Sequence, residues 1–173
     1  MNAGCYGAEI WNYVQQVELI NRKGERLFAD AAQFNPSYRH GDCPADHWFI
    51  AAELALSSGD EATLQQEIRE LLGRRAATQP TSFATAGSVF RNPPGDYAAR
   101  LIEAAGLKGL RCGDAVVSEK HANFIVNSHH ASAADIENLI ITVQQRVADR
   151  FAVHLAPEVK IIGEPTTTLQ GGA

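Results

Sequence analysis

A chain of 173 residues, 45% hydrophobic and 20% charged, has the make-up of an ordinary globular protein, with material for one large domain or two small ones. Its formal net charge of −5 argues against the basic field that draws a protein onto nucleic acid or an anionic membrane, so neither is expected as a partner. No apolar run is long enough to span a bilayer, and the first residues show no basic stretch followed by an apolar one.

The three cysteines, Cys5, Cys43 and Cys112, are odd in number and far apart. A disulfide framework is therefore not expected, and a reducing cytoplasm is the expected location. In chain order, the opening residues Asn2, Ala3, Gly4 and Gly7 are small or turn-forming, the kind that let a backbone press against a ligand. The stretch VELINRKGERLFA alternates and turns at Gly24, which predicts a hairpin with strands near Val17–Asn21 and Arg26–Ala29. HWFIAAELAL is apolar enough to be a third strand lying inside a sheet. Leu64, Ile68, Leu71 and Leu72 then fall on one helical face, with Ser58 and Glu61 as a capping-box start and Gly73 as a stop.

AATQPTSFATAG is polar and without period, so it is expected to be a linker or crossing loop, with a domain boundary near Thr81. The expected domains are 1–80 and 81–173. GSVFRNPPGD reads as a short strand entering a turn, after which Asp96 caps a helix carrying Leu101, Ile102 and Ala105 and ending at Gly106. Strands are expected at Ala115–Val117 and Ala122–Asn127. Ser132 and Asp135 open a helix in which Ile136, Leu139, Ile140, Val143 and Val147 keep helical period. A final strand about His154–Ile162 and a frayed polar tail complete an α+β reading in two lobes.

Residue by residue, the chemical signals are modest. Gly87, Ser88, Arg91 and Asn92 cluster donors in GSVFRNP, but this is not the Gly-x-Ser-x-Gly elbow of hydrolases. A serine at a strand-to-turn transition is the bland alternative. His40, Cys43 and His47 have a spacing that suits zinc, yet structural zinc wants four ligands and no second compact pair follows, so no metal is expected. His129 and His130 read as a solvated loop. Glu158 is either a solvent-facing strand residue or an acid held against a neighbour with a raised pKa. Neither a Walker A motif nor a Gly-x-Gly-x-x-Gly after a strand is present.

Taken in order, NAGCYG, SYRH, RRAATQP, AGSVFRNPPGDYAARLIEAAGLKGLR, VSEKHANFIVN and PEVKIIG resemble one family, UDP-N-acetylenolpyruvoylglucosamine reductase, also called UDP-N-acetylmuramate dehydrogenase. The resemblance runs from Asn2 to Gly163 and is most specific from GSVFRNP to LKGLR. It implies part of a two-subdomain FAD-binding lobe followed by a small α+β substrate-binding domain. It also implies a flavin-dependent oxidoreductase of peptidoglycan precursor synthesis, with FAD and NADPH as cofactors and UDP-N-acetylglucosamine enolpyruvate as substrate.

By the same resemblance, Ser88 is the proton donor, and Arg39 and Glu158 stabilise the charge that builds on the substrate carboxylate. Asn2, Ala3, Gly4, Cys5, Tyr6 and Gly7 lie against the flavin. Tyr38, Arg91, Asn92, Lys108, Lys120 and His121 contact substrate. Two departures from the family pattern stand out. His40-Gly41 follows Tyr38-Arg39 where the family has a nearby Ser, and the Asn-Ala-Gly loop, internal in the family, opens this chain. The second departure implies that Met1 is an internal Met read as a start and that a separately encoded amino-terminal subdomain is a partner. A UDP-sugar-binding module without catalysis is the alternative function.

Overall fold

Alternating apolar residues on either side of Gly24 build the first sheet. The computed structural model describes residues 2–163. It opens with a two-stranded ribbon, β1 (Gly4–Cys5) against β2 (Ala8–Glu9), closed by Tyr6 and Gly7, both at positive φ. A type I′ hairpin turn asks for that backbone at both central positions. β3 (Val14–Asn21) and β4 (Arg26–Asp30) form the expected hairpin, and β5 (His47–Leu54) pairs with the other side of β3.

The order β4-β3-β5 corrects one expectation: β5 lies at the sheet's edge rather than inside it. Trp48, Ile50 and Leu54 on it are exposed. The buried hydrophobic residues here are Val14, Val17, Leu19 and Ala29, backed by Trp11, Phe34 and Phe49, whose ring centroids lie 5.2 to 5.8 Å apart. Tilted and edge-on contacts of this kind add to the area that such rings remove from water.

The chain divides between Thr63 and Leu64 into two compact units, within the first turn of α1 (Glu61–Thr78). α1 starts differently from the expected Ser58–Glu61 box. Asp60 Oδ2 accepts from the Thr63 N–H and from the Thr63 hydroxyl, each at 2.9 Å. The helix also runs through Gly73 to Thr78, so RRAAT is helix and only residues 79–83 make the turn. A glycine in a helix costs about 1 kcal/mol relative to alanine, which a helix of this length tolerates.

The second unit holds β6 (Ala84–Ser88), α2 (Ala98–Ala104), β7 (Arg111–Cys112), β8 (Ala115–Val117), β9 (Phe124–Asn127) and α3 (Ala133–Phe151). Its sheet has the order β6-β9-β8-β7, antiparallel throughout. Ser132 starts α3 with a full capping box to Asp135, as the sequence implies. Leu139, Ile140, Val143 and Val147 are buried in one core with Leu101, Ile102, Val117 and Ile125. Burying each such side chain is worth about 1.5–3 kcal/mol.

Asp96 does not cap α2. Its Oδ1 accepts from the Tyr97 N–H and pairs with Arg100, while Asn92 Oδ1 accepts from the Ala98 N–H at 3.1 Å. β9 begins at Phe124, two residues later than expected, because Asn123 leaves the ladder. The strand expected over 154–162 is reduced to a single bridge between Phe90 and Pro157. Pro157 has no N–H with which to extend a ladder. The expected frayed tail lies outside the described residues.

Candidate functional site

In the first unit, the opening ribbon and the Tyr38–Arg39 turn share an anchor. Asn2 is buried, its amide donating to Glu9 Oε2 at 2.5 Å and to the Ser37 carbonyl at 3.5 Å, while its Oδ1 accepts from the Trp11 N–H at 3.3 Å. Ala3, Gly4, Cys5, Tyr6 and Gly7 are exposed beside it. Ser37 and His40 exchange backbone hydrogen bonds of 3.0 and 2.9 Å, which makes Tyr38 and Arg39 the two-residue tip of a tight turn. Arg39 sits there at φ +59, half-buried, and Tyr38 is exposed. A non-glycine residue at positive φ is strained and persists when its surroundings hold it, a pattern typical of functional sites.

The second unit brings Ser88 and Glu158 to neighbouring backbone positions. Ser88 pairs with Phe124 at the end of β6, just past a register shift that begins at Thr85. Gly87, at φ +79, makes that shift possible. The next residue, Val89, accepts the Glu158 N–H at 2.7 Å through its carbonyl, and the Arg91 N–H donates to the Ala156 carbonyl at 2.9 Å. No spacing rule in the sequence joins positions 70 residues apart; the pairing of the 155–159 segment does so.

Asn123 is a further residue of this place, and no motif singles it out. It is buried, its Oδ1 accepts from the Phe90 N–H at 3.0 Å, and its Nδ2 donates to the Phe90 carbonyl at 2.8 Å. The one signal in the sequence is an amide side chain inside the apolar stretch HANFIV, which must find partners if buried.

Lys108, Lys120 and His121 come from turns of the same unit. The Gly109 N–H donates to the Val117 carbonyl, which draws the Lys108 turn to β8. Ser118 Oγ accepts from the Lys120 and His121 N–H groups at 3.2 and 3.3 Å. His121 packs edge-on against Phe124, and burial pushes its imidazole below the ordinary value, with the nearby Lys108 charge pushing the same way. Lys108 Nζ lies 2.7 Å from Glu103 Oε1, and Lys120 Nζ donates to the Ala76 carbonyl at 2.6 Å. Arg91 is exposed, whereas Asn92 spends its carbonyl oxygen on α2.

Arg39 belongs to the first unit, and Ser88 and Glu158 to the second. Among the described residues no group of three or more His, Cys, Asp and Glu side chains is placed to hold a metal ion. Cys43 Sγ and His47 Nδ1 instead contact the backbone carbonyls of His47 and Ala45. His129 and His130 are exposed.

A family model described as UDP-N-acetylenolpyruvoylglucosamine reductase, C-terminal domain, matches residues 79–162. The reductase of that name from Methylococcus capsulatus is 54% identical over 164 residues, covering 95% of this chain and 54% of the relative. The one from Legionella pneumophila is 53% identical over 165 residues, with shares of 95% and 54%. A crystal structure of UDP-N-acetylenolpyruvylglucosamine reductase from Thermus caldophilus is similar with a TM-score of 0.76 at 33% identity, over 90% of this chain and 56% of that one. The chain spans about half the length of the curated relatives it matches.

Proposed function

The chain belongs to the UDP-N-acetylenolpyruvoylglucosamine reductase family, and from that premise we propose that it contributes to the FAD- and NADPH-dependent reduction of UDP-N-acetylenolpyruvoylglucosamine to UDP-N-acetylmuramate in peptidoglycan precursor synthesis. The observation that carries this reading is the placement of Ser88 and Glu158 on adjacent backbone, inside the stretch that matches the family's carboxyl-terminal domain. Residues 1–80 are assigned to the FAD-binding part and 81–173 to the substrate-binding domain. All three cysteines are free, which suits a reducing cytoplasm.

The opening ribbon fits a flavin. Gly4, Cys5, Tyr6 and Gly7 are exposed, and a Cβ added at Gly7 would meet nothing within 4 Å, so a flat ring can approach that backbone closely. When bound, FAD reduced by NADPH supplies the hydride that reaches the terminal carbon of the enol ether.

The chain's own residues handle the charge and the proton. Negative charge grows on the substrate carboxylate as the double bond is reduced, and the Arg39 guanidinium meets it with two parallel N–H donors. Glu158 is assigned to stabilising the same developing charge. The Ser88 hydroxyl delivers its proton to the adjacent carbon, a transfer that demands hydrogen-bond reach because a hydroxyl is a weak acid. Lys108, Lys120, His121, Arg91, Asn92 and Tyr38 serve the sugar nucleotide.

A second reading, a UDP-sugar-binding module without turnover, is supported by the match of residues 79–162 to the family's C-terminal domain by itself. One experiment separates the two. The purified chain is incubated with FAD, freed of excess flavin, scanned for a perturbed flavin band and assayed for substrate-dependent NADPH oxidation. Turnover abolished by Ser88→Ala supports the reductase. Calorimetric affinity for the sugar nucleotide without turnover supports the binding module, and folded protein that does neither overturns both.

A further inference from the structure

We propose that Asn123 is a positioning residue that locks Ser88 in register with Glu158. The inference rests on the reductase reading for what those two side chains do, and on geometry alone for the lock. The β6–β9 ladder ends at the pair Ser88–Phe124. Past that pair the chain before β9 folds back, the Phe124 N–H donating to the His121 carbonyl at 3.0 Å. Phe90 is 2% exposed, so its backbone groups cannot turn to water. On its other side stands Pro157, which has no N–H to offer the Phe90 carbonyl.

Asn123 supplies what the ladder lacks. Its side-chain amide accepts from the Phe90 N–H and donates to the Phe90 carbonyl, copying the two bonds a paired strand residue would make. Its own carbonyl accepts the Val89 N–H at 2.9 Å, and its N–H donates to His121 Nδ1 at 3.3 Å. Val89 in turn accepts the Glu158 N–H. Asn123 thus holds the dipeptide that lies between the proposed proton donor and the proposed acid, Phe90 through its buried side chain and Val89 through its backbone carbonyl, and its N–H touches a proposed substrate residue. A misplacement of about 1 Å can cost a factor of about 100 in rate, so such a lock matters more to chemistry than to folding.

The test compares Asn123→Ala and Asn123→Asp with the unsubstituted chain by residue-resolved amide hydrogen exchange, beside a thermal melt. In Asn123→Ala the Phe90 and Glu158 amides should exchange at least about tenfold faster while those of Leu139 and Val143 in α3 keep their protection. Asn123→Asp retains the acceptor for the Phe90 N–H and should hold that amide closer to its original protection. Unchanged exchange at Phe90 and Glu158 overturns the inference. So does protection lost evenly across the second unit, or both variants failing to fold, since the residue would then hold the fold rather than the site. Where the unsubstituted chain turns over, Asn123→Ala should lower kcat about tenfold to a hundredfold with KM little changed. Absence of turnover in the unsubstituted chain counts against the proposed function, and the exchange data decide the inference independently.

Discussion

α1 and α3 are nearly the same length, 18 and 19 residues, and both carry Leu and Ile at helical spacing, yet they are held in opposite ways. No residue of α1 is buried, and Leu64, Ile68 and Leu72 stand exposed. α3 buries Leu139, Ile140, Val143 and Val147 and is fixed at its start by a reciprocal cap. α1 carries local side-chain bonds, such as Gln66 to Glu70 and Arg75 to Gln79, and receives a bond from Lys120 Nζ at its Ala76 carbonyl. α3 is a helix of packing. Periodicity tells that a helix has a face; it does not tell what that face meets.

The largest effect should separate the two at once. Leu139→Ala removes a side chain that is 1% exposed in the larger core, and should lower unfolding free energy by about 2–5 kcal/mol in a denaturant melt. Leu72→Ala, at an exposed position, should stay within about 0.5 kcal/mol. Equal costs at the two sites would break the comparison.

The contrast also marks which parts of the fold were legible in the sequence. Ser132 and Asp135 could be read because a capping box is local, and the α3 apolar residues because their period continues for several turns. The β3–β4 hairpin could be read for the same reason, its turn lying between its own strands. Gly73 misled, since a glycine stops a helix only where the chain needs the left-handed conformation, and Gly73 does not adopt it. β1, β2 and β7, at two residues each, are too short for any period. At the site, Ser88, Arg39 and Glu158 came from family resemblance. The bond that sets Glu158 beside Val89 is long-range, and the positive φ of Arg39 depends on the Ser37–His40 turn. Neither is written in residue spacing.

Gly73 offers the next sharpening. It lies in α1 with ordinary φ, and an added Cβ would meet nothing within 4 Å. Gly73→Ala should therefore stabilise α1 by about 0.5–1 kcal/mol, seen as greater helical ellipticity and slower exchange of the α1 amides. A loss of stability would mean that α1 depends on tertiary surroundings after all.

The smallest effect concerns how α1 begins. Asp60 is held below the ordinary carboxylate range, first by the Thr63 backbone N–H and then by the Thr63 hydroxyl. A folded-state pKa below the unfolded one means that the unfolded chain binds the proton more readily. The capping contribution is thus complete above about pH 4, the ordinary aspartate value, and fades as pH falls through the lower folded value. Following the Thr63 amide resonance from neutral to acidic pH should show protection lost in that window. Asp60→Asn keeps a capping oxygen but cannot titrate there, so its α1 start should become insensitive to acid over the same range. A midpoint at or above the ordinary aspartate value in the unsubstituted chain would show that the cap contributes nothing as a charged group, leaving α1 to begin on backbone propensity alone.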